Sequence, residues 1–417
     1  MALIICGDCQ KEYSDYALSC PVCSRPTDTQ VLNKVDKANS EKKTEVKKNP
    51  WVKVVRQMYV LQGPGRITNH SALGILLRSI GLTIGEKNQN RFLLLKFQSD
   101  SMKRNDQEDF ATEALSRAFP ELINIVKVRV RDFSISREIK NKSINRATAG
   151  WELAKLAIKN SLFSTIIIEG FGEILSLDIF DKKEIIDVIS QKQSNIELIL
   201  TGEKFPSYFS ELAYSYSEFV DKLEKNKADS NKKILNGVEV ISGDAKGKST
   251  SALGKAINVI GKGISQDKSH RVLILQWLKG GNGYTEDAAI EALRESYPHL
   301  VDHLRSGRDA IVWRGQQQPI DYVEAERAWE IAKAAILSGL YKTIILDELN
   351  PTVDLELLPV ESIHQTLLKK PADTEVVITG RCKNEPSYFE LADVYSEMVC
   401  HKHYANVGVD LKRGVDY

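Results

Sequence analysis

An internal repeat constrains this chain more than any other feature. Residues 71–74 (SALG) recur at 251–254, which is 180 positions later, and residues 91–97 (RFLLLKF) recur as RVLILQW at 271–277. Further ordered matches at an offset of 178 to 180 are WELAK at 151–155 with WEIAK at 329–333, TIIIE at 165–169 with TIILD at 343–347, and PSYF at 206–209 with 386–389. So many matches in the same order indicate two copies of one domain.

Each copy alternates short apolar runs with amphipathic stretches. In the second copy the runs are VEVIS, RVLILQW, TIILDE and EVVITG, each bounded by turn residues. Continuous apolar strands are typical of parallel sheets that helices cover on both faces. The pattern therefore predicts an α/β fold with mainly parallel, doubly wound sheets. At 417 residues the chain is also too long for one core and fits two domains with an appendage.

Composition shifts give the predicted boundaries. They are 1–25 for a cysteine module, 26–50 for a flexible linker, 51–221 for the first domain, 222–233 for a second charged linker, and 234–417 for the second domain. The first linker is polar and Lys-rich without an apolar period, which favours a solvated tether. A weak RNA-binding or partner-binding arm is the alternative for that segment.

Four cysteines of the N-terminal module form two CxxC pairs. Cys6, Cys9, Cys20 and Cys23 have the spacing of a tetrahedral zinc site with four thiolate ligands. Four thiolates leave no open position, so we expect a small zinc ribbon whose Zn is structural. Such a module either binds nucleic acid or protein, or stabilises a segment too small for its own core. Four unrelated thiols are the alternative.

The overall balance of the chain excludes some classes of partner. The formal net charge is +1, so no global field draws the protein to nucleic acid or to an anionic membrane. No apolar run approaches the roughly 18–20 residues that span a bilayer. The N-terminus lacks the pattern of a secretory signal. We therefore expect a cytoplasmic protein without membrane or nucleic-acid partners.

A phosphate-binding loop is predicted in the second copy. The apolar run at 238–242 leads directly into GDAKGKST, and a helix-like stretch follows. Backbone N–H groups of such a turn cradle phosphates, while Lys248 neutralises their charge and Ser249 reaches magnesium. The strict pattern would need glycine at Ser242, so a simple turn before a helix is the alternative. The predicted nucleotide-binding residues of this loop are Gly243, Asp244, Ala245, Lys246, Gly247, Lys248, Ser249 and Thr250.

An acidic pair about 100 residues later supports this interpretation. Asp347 and Glu348 follow the apolar run TIIL, which places carboxylates at the C-terminal edge of the predicted sheet. The predicted magnesium ligands are therefore Ser249, Asp347 and Glu348. A helix cap or a solvated turn would be the simpler interpretation of two acids. The two features together predict tandem P-loop (RecA-like) domains, of which the second binds nucleotide.

The first copy lacks most of this equipment. Aligned by the repeat, Thr68 stands in place of Lys248, and Asn69 in place of Ser249. The segment Glu169-Gly170 replaces the acidic pair, so one carboxylate is lost. We expect a degenerate P-loop domain that acts as a structural partner.

The second copy resembles a known family. Its loop is similar to GNGKGKTT, the shortened phosphate loop of the ATP:cob(I)alamin (corrinoid) adenosyltransferases. The resemblance covers roughly residues 236–417 and continues in order through QWLKG at 276–280 (QFIKG in the family), LDEL at 346–349, LLPVE at 357–361 (LP-x-E), ITGR at 378–381, ELAD at 390–393, and the KH and GVDY segments at 402–403 and 414–417.

The resemblance implies transfer of the 5′-deoxyadenosyl group of ATP to reduced corrinoid cobalt, with release of triphosphate. Since the cobalt is the nucleophile, the enzyme positions its substrates and manages charge. The residues expected to carry catalysis are Lys248 and Glu348, with Arg381 as a further nucleotide contact. Trp313, in a stretch that resembles the family's FTW motif, is the expected corrinoid contact. Implied cofactors are ATP and Mg.

Several departures and partners complete the prediction. Asp244 and Ala245 replace an asparagine and a glycine of the family's loop. An alternative function is therefore a P-loop ATPase or nucleotide-dependent regulator without corrinoid chemistry. A third class is an assembly or nucleic-acid adaptor. The family's homodimers imply that the two copies form a pseudo-dimer within the chain, with further dimerisation and a reductant protein as additional partners.

Overall fold

The computed structural model describes residues 54–99, 107–130, 137–224, 237–265, 270–281 and 283–404, together with two short N-terminal strands. The chain divides into two units, 1–53 and 54–417. In the first unit, β1 (Leu3–Ile5) pairs antiparallel with β2 (Glu12–Ser14). The four predicted zinc ligands and most of both predicted linkers lie outside the described residues.

The described residues of the second unit form twelve strands. The strands of its first half are β3 (Met58–Gln62), β4 (Phe92–Ser99), β5 (Ile123–Val130), β6 (Thr165–Glu169), β7 (Glu197–Gly202) and β8 (Ser215–Glu224). The strands of its second half are β9 (Val238–Ser242), β10 (Val272–Gln276), β11 (Val301–Arg305), β12 (Thr343–Asp347), β13 (Glu375–Thr379) and β14 (Val394–Lys402).

Helices connect these strands. The first half contains α1 (Gly65–Glu86), α2 (Gln107–Ala118), α3 (Arg137–Asn160), α4 (Phe171–Leu175), α5 (Lys182–Ser190) and α6 (Tyr208–Leu212). The second half contains α7 (Lys248–Ser265), α8 (Glu286–Ser296), α9 (Pro319–Ser338), α10 (Leu349–Asp354), α11 (Val360–Lys369) and a 3₁₀ helix, Ser387–Leu391.

All twelve strands form one sheet. Its order is β11-β10-β12-β13-β9-β14-β8-β3-β7-β6-β4-β5. Counted inward from the two edges, equivalent strands of the two halves occupy equivalent positions. Neighbouring strands are parallel except at the centre, where β14 and β8 pair antiparallel and join the halves. The predicted α/β fold with tandem repeats and mainly parallel strands is confirmed. The central seam was not predicted.

Continuous apolar sequence explains why the inner strands lie where they do. Every residue of β6, β7, β9, β10 and β12 is buried. Helices therefore cover both faces of the sheet, as expected for parallel strands. Because the carboxyl ends of neighbouring parallel strands meet at one edge, the residues that follow β9, β12 and β13 lie close together.

Helices α1 and α7 pack against each other across the seam through reciprocal glycines. A side chain at Gly74 would lie 1.8 Å from the carbonyl oxygen of Thr250, and one at Gly254 would lie 1.7 Å from that of His70. Gly74 and Gly254 occupy equivalent positions in the repeat, as do His70 and Thr250. The interface therefore has the self-complementary form of a two-fold symmetric dimer.

An ion cluster also crosses the two halves. The buried carboxylate of Glu239 on β9 accepts from Arg66 of α1 and, at 2.5 Å, from Lys255 of α7. Lys255 also donates to Glu375 at 2.6 Å. Removal of Glu239 would leave the Lys255 ammonium largely buried with one fewer partner.

Among the described residues, no helix is both long and apolar enough to span a bilayer.

Candidate nucleotide site

The loop between β9 and α7 is shaped by two glycines. Gly243 has φ of 101° and Gly247 has φ of 120°, both in the region that favours glycine. A side chain at Gly243 would lie 2.4 Å from the carbonyl oxygen of Met398, and the N–H of Ala245 donates to that oxygen at 3.1 Å. Strand β14 thus holds the loop, and α7 begins at Lys248 with its N-terminus toward it. This is the backbone geometry that binds phosphate.

Lys248 is buried at the first position of α7. Its ammonium donates to the carbonyl oxygen of Ala245 at 2.7 Å. The pKa of Lys248 is lowered to about 8, chiefly by burial; Glu348 opposes this shift, and the charges of Arg381 and Lys246 add to it. A cluster of cations around a small loop is suited to a polyanionic ligand such as triphosphate.

The predicted acidic pair lies beside this loop. Glu348 follows β12, and its Oε1 lies 3.5 Å from the hydroxyl of Ser249. Burial, and then the charge of Asp347, raises the pKa of Glu348. Hydroxyl and carboxylate oxygens are the donors that Mg²⁺ prefers. The donor set therefore fits a magnesium ion, which Ser249 and Glu348 would hold.

Asp347 is fixed more tightly than Glu348. Its Oδ1 accepts from Thr379 at 2.5 Å, and its Oδ2 accepts from Lys279 at 2.7 Å and from Gln276 at 2.9 Å. Burial alone would raise the pKa of Asp347, but Lys279 and these hydrogen bonds hold it well below its usual range. Asp347 therefore remains a carboxylate at neutral pH and anchors the end of β12.

Three other predicted residues have distinct positions. The guanidinium of Arg381 donates to the carbonyl oxygen of Asp244 at 3.2 Å, so it lies at the phosphate loop. The Thr250 side chain is buried and turns away from solvent, toward the first half. Trp313 is 60% exposed, and its neighbour Ile311 is 72% exposed, in the segment between β11 and α9. An exposed tryptophan is available to a planar ligand.

The corresponding positions of the first half look different. Helix α1 begins at Gly65, whereas α7 begins at the residue aligned with Thr68, so the first half replaces part of the loop by a helical turn. Lys96 and Glu169, aligned with Gln276 and Asp347, form a buried ion pair at 3.1 Å. Gly170 is aligned with Glu348, so the first half lacks the second carboxylate, the one that lies beside Ser249 in the second half.

Sequence reasoning missed several residues of the site. Gln276, Lys279 and Thr379 belong to motifs that were recognised, and their position just after or at the end of a strand could have indicated them. The contact between Arg78 and Thr250 joins residues 172 positions apart. Nothing in the local sequence predicts that contact, because it depends on how the two halves pack.

The comparisons with known proteins agree with this geometry. The family model "ATP:corrinoid adenosyltransferase BtuR/CobO/CobP" matches the chain twice, at residues 55–239 and 234–417. The chain belongs to this family. The two family matches correspond to the two halves of the sheet, so each half carries the family's fold.

Individual relatives differ in extent. An uncharacterized protein of Nostoc sp. (all2391) is 53% identical over 362 residues, which is 87% of this chain and 95% of that protein. The corrinoid adenosyltransferase of Pseudomonas aeruginosa is 30% identical over 203 residues, 47% of this chain and 94% of that protein. The corrinoid adenosyltransferase of Escherichia coli K12 is 31% identical over 179 residues, 43% of this chain and 84% of that protein. The two corrinoid adenosyltransferases therefore match less than half of this chain, whereas the Nostoc protein matches most of it.

Proposed function

We propose that the chain is a corrinoid adenosyltransferase that uses ATP in its second half. The observation that carries this proposal is the phosphate loop beside Asp347 and Glu348 in a chain of this family. Relatives from three organisms bear the name corrinoid adenosyltransferase. The described site offers phosphate-binding backbone, cations and hard oxygen donors, which is what ATP requires.

The proposed reaction transfers the 5′-deoxyadenosyl group from ATP to cobalt. The Co(I) of the reduced corrinoid substrate attacks C5′ of ATP, a Co–C bond forms with the cobalt's two electrons, and the C5′–O bond breaks. The oxygen leaves with the triphosphate. Because an external electron donor must first reduce the corrinoid cobalt to Co(I), we propose a reductant protein as a partner. No protein nucleophile is needed, so positioning and electrostatics supply the catalysis.

The second half supplies the charge for the leaving group. The Lys248 ammonium and the loop N–H groups bind the triphosphate, and Arg381 and Lys246 add positive charge beside it. Ser249 and Glu348 would hold Mg²⁺, with Asp347 held behind them by Thr379 and Lys279. When bound, the ion neutralises phosphate charge. Lys248 and Glu348 are the residues on which turnover depends most.

The exposed Trp313 is the proposed corrinoid contact. A large aromatic face covers a macrocycle and excludes water from it. Its 60% exposure is consistent with that role, since a core tryptophan would be buried. Ile311, which is also exposed, extends the apolar surface.

The first half is proposed to be a degenerate partner. Its helix α1 already begins at Gly65, within the aligned loop, and Thr68 and Gly170 stand at the positions of Lys248 and Glu348. The reciprocal contacts of Gly74 and Gly254 support a pseudo-dimer within one chain. A structural zinc site at Cys6, Cys9, Cys20 and Cys23 is likewise a proposal, which rests on the spacing of those residues.

An anaerobic assay tests the function. Purified protein, Mg-ATP and chemically reduced cobalamin are mixed, and the loss of Co(I) absorbance and the appearance of a photolabile Co–C bond are followed. Lys248→Ala is expected to abolish the product. Absence of product from the native protein, with ATP still bound through Lys248, would refute the transferase and favour a nucleotide-dependent regulator.

A further inference from the structure

An arginine of the first half reaches the nucleotide site of the second. Arg78 lies on α1 and is 5% exposed. Its Nη1 donates to Oγ1 of Thr250 at 2.8 Å, and its Nε lies 3.4 Å from Oε2 of Glu286 on α8. Thr250 is in the first turn of α7, directly after Ser249. The guanidinium therefore contacts the first turn of the helix that follows the phosphate loop and the first residue of α8.

A buried chain of charges continues from Arg78 to the acidic pair. Glu286 Oε1 lies 3.3 Å from the ammonium of Lys279, which donates to Asp347 at 2.7 Å. The four side chains, all buried, contribute two positive and two negative charges. Loss of Arg78 would leave two carboxylates to compete for Lys279. Since Lys279 donates to Asp347, this competition would weaken the contact that fixes Asp347 at the end of β12.

The repeat makes this arrangement one-sided. The residue aligned with Arg78 in the second half is Asn258, and the residue aligned with Thr250 in the first half is His70. The first half thus has the arginine but lacks the loop lysine, and the second half has the lysine but lacks the arginine. Each half retains what serves the same site.

We propose that Arg78 is a positioning residue for the ATP site of the second half, so that one composite site is built from both halves. The proposal rests on the proposed function only for the identity of the ligand. Arg78 acts through Thr250, which fixes the first turn of α7, and through Glu286 and Lys279, which fix Asp347. The first half is therefore required for ATP use and not only for folding.

Arg78→Asn tests the proposal, because it gives the first half the residue that the second half already has. Lys96→Gln is the matched control, since it removes a buried cation of the first half and installs the residue of the other copy there. Calorimetric affinity for Mg-ATP and the separate KM values for ATP and for reduced cobalamin are measured for both full-length variants.

The two variants should differ only toward ATP. We expect Arg78→Asn to raise the Kd and KM for Mg-ATP about tenfold relative to Lys96→Gln, with the KM for cobalamin unchanged. If Arg78 had only a structural role, both variants would have a lower melting temperature, and the Kd and KM for Mg-ATP would be the same in both. An ATP affinity of Arg78→Asn within about twofold of the control would overturn the proposal.

A second variant covers failure to fold. Arg78→Lys keeps the charge but loses the fork that contacts Thr250 and Glu286 together, and we expect ATP affinity to fall about threefold. An unchanged affinity in that variant overturns the proposal when Arg78→Asn is insoluble. If the native protein binds ATP but forms no Co–C bond, the transferase fails while the ATP affinities still decide the role of Arg78. A native protein that binds no ATP refutes both.

Discussion

Glu348 and Gly170 share one backbone conformation at equivalent positions of the two halves, with φ of 61° and 73°. Each follows a strand that ends in an acidic residue, and each is the N-cap residue of a short helix, α10 or α4. This conformation costs a non-glycine residue roughly 1–2 kcal/mol. The first half has the relaxed residue there, whereas the second half retains a strained carboxylate beside Ser249.

Glu348→Gly is therefore expected to stabilise the protein while it removes function. The free energy of unfolding should rise by about 1 kcal/mol, because strain and repulsion from Asp347 are both relieved. Turnover with Mg-ATP should fall about hundredfold, since a proposed metal ligand is lost. Urea unfolding and the Co–C assay measure the two effects. The control Asp178→Gly, at an exposed residue with φ of 51°, should gain stability without loss of turnover.

The pKa of Lys248 predicts a limit on activity at alkaline pH. Burial lowers this pKa to about 8, and only the protonated ammonium attracts triphosphate. The kcat/KM for ATP should thus be constant below pH 8 and fall about tenfold per pH unit above it. Lys248→Arg should lack this fall, because a guanidinium stays protonated. A flat profile of the native protein up to pH 9.5 would contradict the prediction.

Because α1 and α7 approach each other closely, even a methyl side chain should not be tolerated at the glycines of their contact. Gly254→Ala would place a methyl group 1.7 Å from the His70 carbonyl oxygen, so the helices must separate. We expect the free energy of unfolding to fall by about 3 kcal/mol, with a parallel loss of ATP affinity. Gly85→Ala, in the same helix layer with no atom within 4 Å, should be neutral or stabilising by about 0.5–1 kcal/mol. Chemical denaturation of both variants checks this.

Glu239 should make the free energy of unfolding decrease at acidic pH. Burial alone would raise the pKa of Glu239, but Lys255 and Arg66 hold it well below its usual range. A depressed carboxyl pKa stabilises the fold above the unfolded value of about 4.3 and loses that contribution as the pH falls below it. Glu239→Gln should lower the free energy of unfolding by about 3 kcal/mol at pH 7 and less at pH 3.

The measurement is urea unfolding at a series of pH values. Glu113→Gln removes an exposed pair with Arg117 and should change stability by less than about 1 kcal/mol at any pH. Equal effects of the two substitutions would show that the Glu239 cluster does not hold the halves together.

Local features of the sequence predicted much of the site. The strand-loop-helix order around Lys248 and the acids after β12 are both read from contiguous residues, and parallel strands bring such ends together without further information. The partners of Asp347 are harder to predict, because Lys279 and Thr379 come from other strand ends. Arg78 could not be assigned, since its contact with Thr250 depends on the crossing of two helices from different copies. The antiparallel seam between β14 and β8 also has no local signal, and β8 extends to Glu224, within the segment predicted as a linker.

The seam between β14 and β8 joins strands of one polypeptide. In an assembly of separate subunits, the complete site exists only above the concentration at which the subunits associate. Here the partner half is tethered, so its effective concentration is fixed by the chain and does not change on dilution. A site that both halves complete, as proposed for Arg78, would therefore be assembled in every folded copy at any protein concentration.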